Sequence, residues 1–479
     1  MMRYAREIMA GAIILTVAGC NAGGIAPNVS QPAHISSGIE SRNAFGSGPV
    51  FSVLHTFQGA PSDGYVAQGL IADSSGNMYG STVYGGAKHP YDCTIGCGTI
   101  YQVSQTGDTV LYSFKAASGG AFLPSGRLVA HNGVLYGTTG AGGTANHGTI
   151  FELTQSPSKP GKWIETVLYN FQGPPRDGDD AEGLAIVDGS GALYGTTFMG
   201  GSGTHCFFAA SGCGTVFKLS PPSSSTRTWT ESVLHSFSGN PDGAAPGPDL
   251  VGGGKGVLYG TTEYGGTSTR CPYQGCGTLY RLDGQGNTST STTLHSFNVN
   301  SSVSDGSLPS GALVADEHGT LYGTTQYGGG LGNCNVTKGL NYCGTIFAFA
   351  PASHKSKRLV ESILYAFRGA PNDGAQPGEL VMTAGGKFYG ATVYGGSGDC
   401  QAGGGCGTIY ELARATGKSS WSETTLHSFD YTDGAFPGSP LVLQNGVLYG
   451  TAGYGGTGPC GFGCGTIYEV LNADSKVRR

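Results

Sequence analysis

The residues of this chain that could do chemistry recur at repeating positions. Aspartate stands directly before glycine at Asp63, Asp177, Asp242, Asp305, Asp373 and Asp433, with Gly119 taking the place once. Carboxylates repeated around one face could hold Ca²⁺, which favours oxygen ligands. Asp-Gly is also a turn pair, because Asp caps its own turn and Gly takes positive φ, and the turn is the reading the pattern favours. Tyrosine precedes a Gly-Gly pair at Tyr84, Tyr264, Tyr327, Tyr394 and Tyr454, while Ala141 and Met199 fill that position in two further copies. Such rings could stack on sugar or aromatic groups with their hydroxyls hydrogen-bonding, or pack beneath the Gly-Gly turn.

Catalysis needs residues that break a repeat, since one acid or nucleophile must be uniquely placed. Asp177, Asp179, Asp180 and Glu182, with His205 in the following loop, form the densest such spot; solvated surface charge explains it equally well. His55, His235, His295 and His427 share one position with Tyr112, Tyr169 and Tyr365. Tyrosine cannot relay protons at neutral pH, so these are expected to pack. The chain has no Gly-Xaa-Ser-Xaa-Gly elbow, no phosphate-binding loop and no His-Glu-Xaa-Xaa-His motif. No cofactor is expected.

Thirteen cysteines leave one over. Twelve fall as Cys93 and Cys97, Cys206 and Cys213, Cys271 and Cys276, Cys334 and Cys343, Cys400 and Cys406, and Cys460 and Cys464. The second of each pair directly precedes Gly-Thr and the first wanders. Zinc knuckles need fixed spacing and two converging pairs, so six local disulfides in an oxidising compartment are expected, and no metal on these thiols.

The elements that position these groups come from one repeat: Val-Leu-His-Ser-Phe, Asp-Gly, Gly-Xaa-Leu-Val, Leu-Tyr-Gly-Thr-Thr, Gly-Gly, a loop, then Cys-Gly-Thr-Ile-Phe-Glu-Leu. Its central Tyr-Gly falls at Tyr79, Tyr136, Tyr194, Tyr259, Tyr322, Tyr389 and Tyr449. Each unit carries four short β-type runs between turn signals, which predicts an all-β chain of seven four-stranded units. That count matches a seven-bladed β-propeller. The run Phe51 to Phe57 stands alone at the start, and the last unit ends on its third strand, Gly465 to Val470. Pairing the two would complete the last blade and close the ring. The strands, from the axis outward, are a (Gly-Xaa-Leu-Val), b (Leu-Tyr-Gly-Thr-Thr), c (Gly-Thr-Ile-Phe) and d (Val-Leu-His-Ser-Phe). The b-to-c loops and d-to-a connections then share one face, which carries the cysteines, the Asp-Gly pairs and most of the length variation.

The unit resembles the GloVer tandem repeat of bacterial surface proteins, through Leu193 to Thr197, Gly200 and Gly201, Gly148 to Leu153 and their other copies. The resemblance covers about Phe51 to Val470. It implies display at a cell surface and brings no activity with it.

Composition agrees. Charged residues make up 12% of the chain and net charge is -6, so the basic field needed to engage phosphates is absent and nucleic acid is not an expected partner. Arg3 and Arg6, then the short apolar run Ile8 to Val17, then Val17-Ala18-Gly19-Cys20, resemble a bacterial lipoprotein signal with Cys20 as the lipidated residue. Asn21 at the next position favours the outer membrane. The expected organisation is a signal peptide over 1–19, a flexible tether over 20–48, the propeller over 49–471 and a tail over 472–479.

Function is expected to be that of a lipid-anchored binding or interaction module whose ligand is a glycan or an envelope protein. The alternative is an extracellular polysaccharide lyase or hydrolase with acids converging near the axis. Candidate ligand-binding residues are the five Gly-Gly tyrosines with Asp179, Asp180 and Glu182. Unit 2 lacks the cysteine pair, the tyrosine and the aspartate together, and carries the short loop Gly142 to His147, so a gap in the rim beside the acidic run is expected there.

Overall fold

A computed structural model describes residues 49–90, 92–104, 107–116, 120–206, 209–223, 227–271, 275–285, 288–298, 305–309, 311–329, 343–351, 359–400, 404–415 and 420–471. The signal segment, Cys20, the tether and the C-terminal tail lie outside them. The chain is a seven-bladed propeller. Blade 1 is the antiparallel sheet of Gly64–Ala72, Met78–Gly85, Thr99–Ser104 and Gly107–Ser113, in that order. Blade 7 takes Val442–Gln444, Val447–Ala452 and Thr466–Leu471 from the end of the chain and its outer strand, Val50–Thr56, from the start. Phe51 pairs with Val470 and Val53 with Tyr468, which closes the ring as the sequence led us to expect. Among the described residues the single helical element is the turn Ala209–Ser211, and no helix is long and apolar enough to cross a membrane.

The repeat residues explain why each blade forms. The glycine of Tyr-Gly lies under an aromatic ring of strand c: a Cβ at Gly80 would sit 2.3 Å from the Tyr101 hydroxyl, and one at Gly137 2.5 Å from the tip of Phe151. Only glycine admits the ring. The second threonine of strand b shares a buried hydrogen bond with the threonine of strand c, as in Thr82 with Thr99 (2.8 Å) and Thr197 with Thr215 (2.8 Å). The apolar cores lie between blades. Ile100 and Phe114 of blade 1 pack with Leu128, Leu135 and Phe151 of blade 2, and Phe57 and Ile467 of blade 7 with Leu70 and Tyr101 of blade 1. Near the axis, Thr196 donates to the Gly247 carbonyl and Thr324 to that of Gly378, each on the next blade. The packing that stabilises one blade therefore depends on its neighbours.

Candidate functional site

The d-to-a connections hold the Asp-Gly residues in one geometry. Asp63 accepts hydrogen bonds from the backbone N–H of Gln58 and of Gly64, both 2.6 Å long, and Asp177 and Asp373 do the same with Gln172 and Gly178 and with Arg368 and Gly374. Each of the six aspartates also meets the tip of the preceding outer-strand ring. His55, His235, His295 and His427 approach Asp63, Asp242, Asp305 and Asp433 through Nε2 at 3.1, 3.0, 2.8 and 2.8 Å. Tyr169 and Tyr365 donate to Asp177 and Asp373 at 2.9 Å. Histidine and tyrosine interchange because both place a donor at the end of a flat ring. These rings therefore do more than pack: they latch the turn.

The face above the blades is fixed by backbone. One residue per blade lies in the left-handed region, three beyond the Asp-Gly aspartate or, in unit 2, three beyond Gly120, which takes the aspartate's place in space where the sequence suggested Gly119: Val66, Leu123, Asp180, Ala245, Leu308, Gln376 and Phe436, with φ between 53° and 59°. Non-glycine residues adopt that conformation only at a cost. Its return is a hydrogen bond from that N–H across the blade boundary, to the carbonyl of Cys464, Cys97, His147, Cys213, Cys276, Cys343 and Cys406 in turn, at 2.9 to 3.3 Å. The second cysteine is thus tied to the next blade, while the first is free to move along its loop. Five of the expected disulfides are formed, with Cα separations of 5.0 to 5.7 Å. Cys343 is also disulfide-bonded; Cys334 lies outside the described residues.

His147 stands where the other units have that second cysteine. Its ring lies against Gly173, at the place the Cys460–Cys464 bridge takes beside Gly59, and its Nδ1 is 3.0 Å from Asp179 of blade 3. The acidic run is therefore spread among separate tasks. Asp177 latches the turn, and Asp179 pairs across the boundary. Asp180 is the left-handed residue, its Oδ1 over Gly140 where a Cβ would come within 2.6 Å. Asp179 and Glu182 are buried, and His205 is exposed, its backbone bridged to Gly239.

The Gly-Gly tyrosines are all half-buried, and three of them join one aromatic run across blades 6, 7 and 1. Tyr394 meets Phe436 (ring centroids 5.3 Å apart), Phe436 meets Tyr454 (6.1 Å), Tyr454 meets Tyr65 (6.2 Å) and Tyr65 meets Tyr84 (5.8 Å). Burial holds the Tyr65 and Tyr394 hydroxyls above their usual range, so both stay neutral donors. Beside the run, Phe462 and Ile95 stand exposed (39% and 47%) at the tips of the two Cys-Xaa₃-Cys loops. Their carbonyls accept from Gly455 and Gly85, which pins each tip over the glycine following Tyr454 and Tyr84. Tyr264 belongs elsewhere, with Phe198, Met199 and Ala245, and Tyr327 pairs through its backbone with Ser307. Sequence reasoning missed Tyr65 and Phe436. Their signal was aromatic identity two and three residues after the aspartate, in adjacent units.

A second asymmetry sits on the axis. The residue before the buried leucine of strand a is small or proline in four blades (Gly69, Gly183, Ala312 and Pro440) and charged in three: Arg127, Asp249 and Glu379. Arg127 donates through one Nη2 to Asp249 (2.6 Å) and Glu379 (2.5 Å). Inner-strand residues of blades 2, 4 and 6 can meet only across the axis. Burial pushes the Glu379 carboxyl upward against the pull of Arg127, and Asp249 adds to the rise.

The repeat model described as the Gloeobacter/Verrucomicrobia repeat matches residues 44–208, 159–399 and 334–478. The chain belongs to this family. No functionally curated protein matches the Gloeobacter/Verrucomicrobia repeat chain. Among solved structures it is similar to a puromycin-hydrolyzing peptidase of Mycobacterium tuberculosis (11% identity, TM-score 0.46, covering 89% of this chain and 57% of that one). It is also similar to a polysaccharide lyase (10%, 0.44, 87% and 91%) and to the PQQ-bound aldose sugar dehydrogenase of Streptomyces coelicolor (13%, 0.38, 89% and 99%).

Proposed function

We propose that this repeat protein is an envelope-displayed binding module whose ligand is a glycan, taken up along the aromatic run of blades 6, 7 and 1. The observation that carries this is the run of five touching rings, Tyr394, Phe436, Tyr454, Tyr65 and Tyr84, across three adjacent blades of a repeating array. Rings set edge-to-face or tilted, four of them carrying hydroxyls, supply apolar surface and donors together, which suits pyranose rings and their hydroxyls. Lipid on Cys20 would hold the module to the outer membrane or cell surface.

The test is a glycan-array screen of the soluble propeller, followed by calorimetry on the best binder. Phe436→Ala and Tyr454→Ala should each weaken binding tenfold or more, a loss of about 1.4 kcal/mol, while Tyr264→Ala leaves it unchanged. Equal effects from all three variants, or no glycan bound, would count against this reading.

Hydrolysis or elimination on a polysaccharide is the second reading, and the observation favouring it is the convergence of Arg127, Asp249 and Glu379. It requires depolymerisation that Glu379→Gln abolishes while glycan affinity stays.

A further inference from the structure

At most blade boundaries the outer-strand ring and its Asp-Gly aspartate meet a third side chain, projecting from the outer strand of the next blade. We infer that two of these boundaries are binding sites for a divalent transition-metal cation, one built from His55, Asp63 and Asp108 and the other from His295, Asp305 and Glu361. In each trio one donor atom per residue lies within 4.8 Å of the other two. Zinc and manganese both accept imidazole with carboxylate oxygen, and water would complete the shell. Calcium is disfavoured, since it takes six to eight oxygens.

The donors are not solvated surface acids. Side-chain exposure is 22%, 13% and 6% in the first trio and 24%, 13% and 21% in the second. Two carboxylates sunk together are costly unless a counter-charge joins them. At His295 the same nitrogen, Nε2, faces Asp305 at 2.8 Å and Glu361 at 3.7 Å. One N–H cannot satisfy both, and Glu361 Oε1 is buried with no hydrogen-bond partner. At the first boundary Asp108 is the most buried of the three, and its Oδ2 likewise has no partner. A cation supplies what these orphaned oxygens lack.

The remaining boundaries act as controls within the same chain. Tyrosine replaces the histidine at three, and Ser291 or Phe51 replaces the second acid at the other two. Either change removes one ligand of the trio. A metal at the His55 boundary would clasp the strand that closes the ring to blade 1, and one at His295 would clasp blade 4 to blade 5.

The experiment uses the full chain, stripped with chelator and titrated with Zn²⁺ or Mn²⁺, with bound metal counted by elemental analysis and thermal stability followed. About two equivalents should bind and raise the unfolding temperature. Asp108→Asn and Glu361→Gln keep side-chain shape and should each remove one equivalent, while Ser291→Glu should add a third beside His235 and Asp242. Sub-stoichiometric metal in the wild-type chain would overturn the inference: a protonated imidazole would then be the counter-charge, as His55 can be with Nε2 on Asp63 and Nδ1 on Asp108, each at 3.1 Å. So would a stoichiometry that the Asp108→Asn, Glu361→Gln double variant leaves unchanged.

Discussion

Phe51 lies flat on His427, with ring centroids 3.6 Å apart and planes 4° from parallel. The contact joins the strand that begins the described chain to the outer strand of blade 6, at a boundary where the usual acid is absent. Phe51 also meets Phe429 and Tyr468. Replacing it with alanine removes the stack and opens a cavity at the closing blade, an expected loss of about 2 kcal/mol for a half-buried ring. The denaturant midpoint of Phe51→Ala reads this directly, and an unshifted midpoint would mean that backbone pairing alone closes the ring.

Removing Arg127 strands two carboxylates on the axis. Arg127→Met should lower stability by about 2 kcal/mol, less than for a fully buried ion pair because a third of the Arg127 side chain stays exposed. Adding Asp249→Leu and Glu379→Met should recover most of it, because the charges that needed compensation are gone. A triple variant less stable than the single one would show that the network contributes more than mutual neutralisation.

Four strand-c tyrosines, Tyr101, Tyr280, Tyr410 and Tyr468, are fully buried with hydroxyls that lack a partner. Phenylalanine does the same work at Phe151, Phe217 and Phe347. Tyr280→Phe should therefore stabilise the chain, by about 1 kcal/mol, by deleting an unsatisfied polar group while keeping the ring. Differential scanning calorimetry decides it; destabilisation would reveal a hidden partner for that hydroxyl.

Glu231 and Glu423 reach from their outer strands toward the latches of the preceding blade. Burial, reinforced by Asp177, raises the Glu231 carboxyl to about 8, and burial with Asp373 raises Glu423 to about 7. A carboxyl raised on folding holds its proton more tightly in the folded chain. Its destabilisation is absent below the ordinary carboxylate range and grows until pH passes the raised value. The unfolding temperature should thus decline by several degrees between about pH 5 and pH 8. Glu231→Gln, facing Tyr169 and Asp177, should flatten part of that slope; a parallel curve would exclude Glu231 as its source.

The architecture was legible because it rests on residues that recur for steric reasons. The glycine beneath each strand-c ring and the paired threonines reappear in unit after unit, and the unpaired first strand announced the closure. The site was less legible. The Gly-Gly tyrosines were visible as a set, yet only their neighbours in space place Tyr84, Tyr394 and Tyr454 on one aromatic run and set Tyr264 against Phe198 and Met199 of blade 3. Arg127, Asp249 and Glu379 lie far apart in sequence, and each looks like a single variable position in its own unit. Their meeting follows from geometry that closes only when all seven units are in place. His147 looked like part of a loss in unit 2, whereas in space it fills the place of a disulfide.

The left-handed residue at the rim of each blade works through its N–H, and that separates its conformation from its side chain. Val66, Leu123, Asp180, Ala245, Leu308, Gln376 and Phe436 share one backbone shape and almost no chemistry. Ala245 and Leu308 are buried, but mutation can exchange the five partly exposed side chains, those of Val66, Leu123, Asp180, Gln376 and Phe436, without removing the backbone bonds between blades. The rim is thus a panel of independent settings on a constant frame, and lineages carrying this repeat could retune what the face recognises while the ring beneath it stays the same.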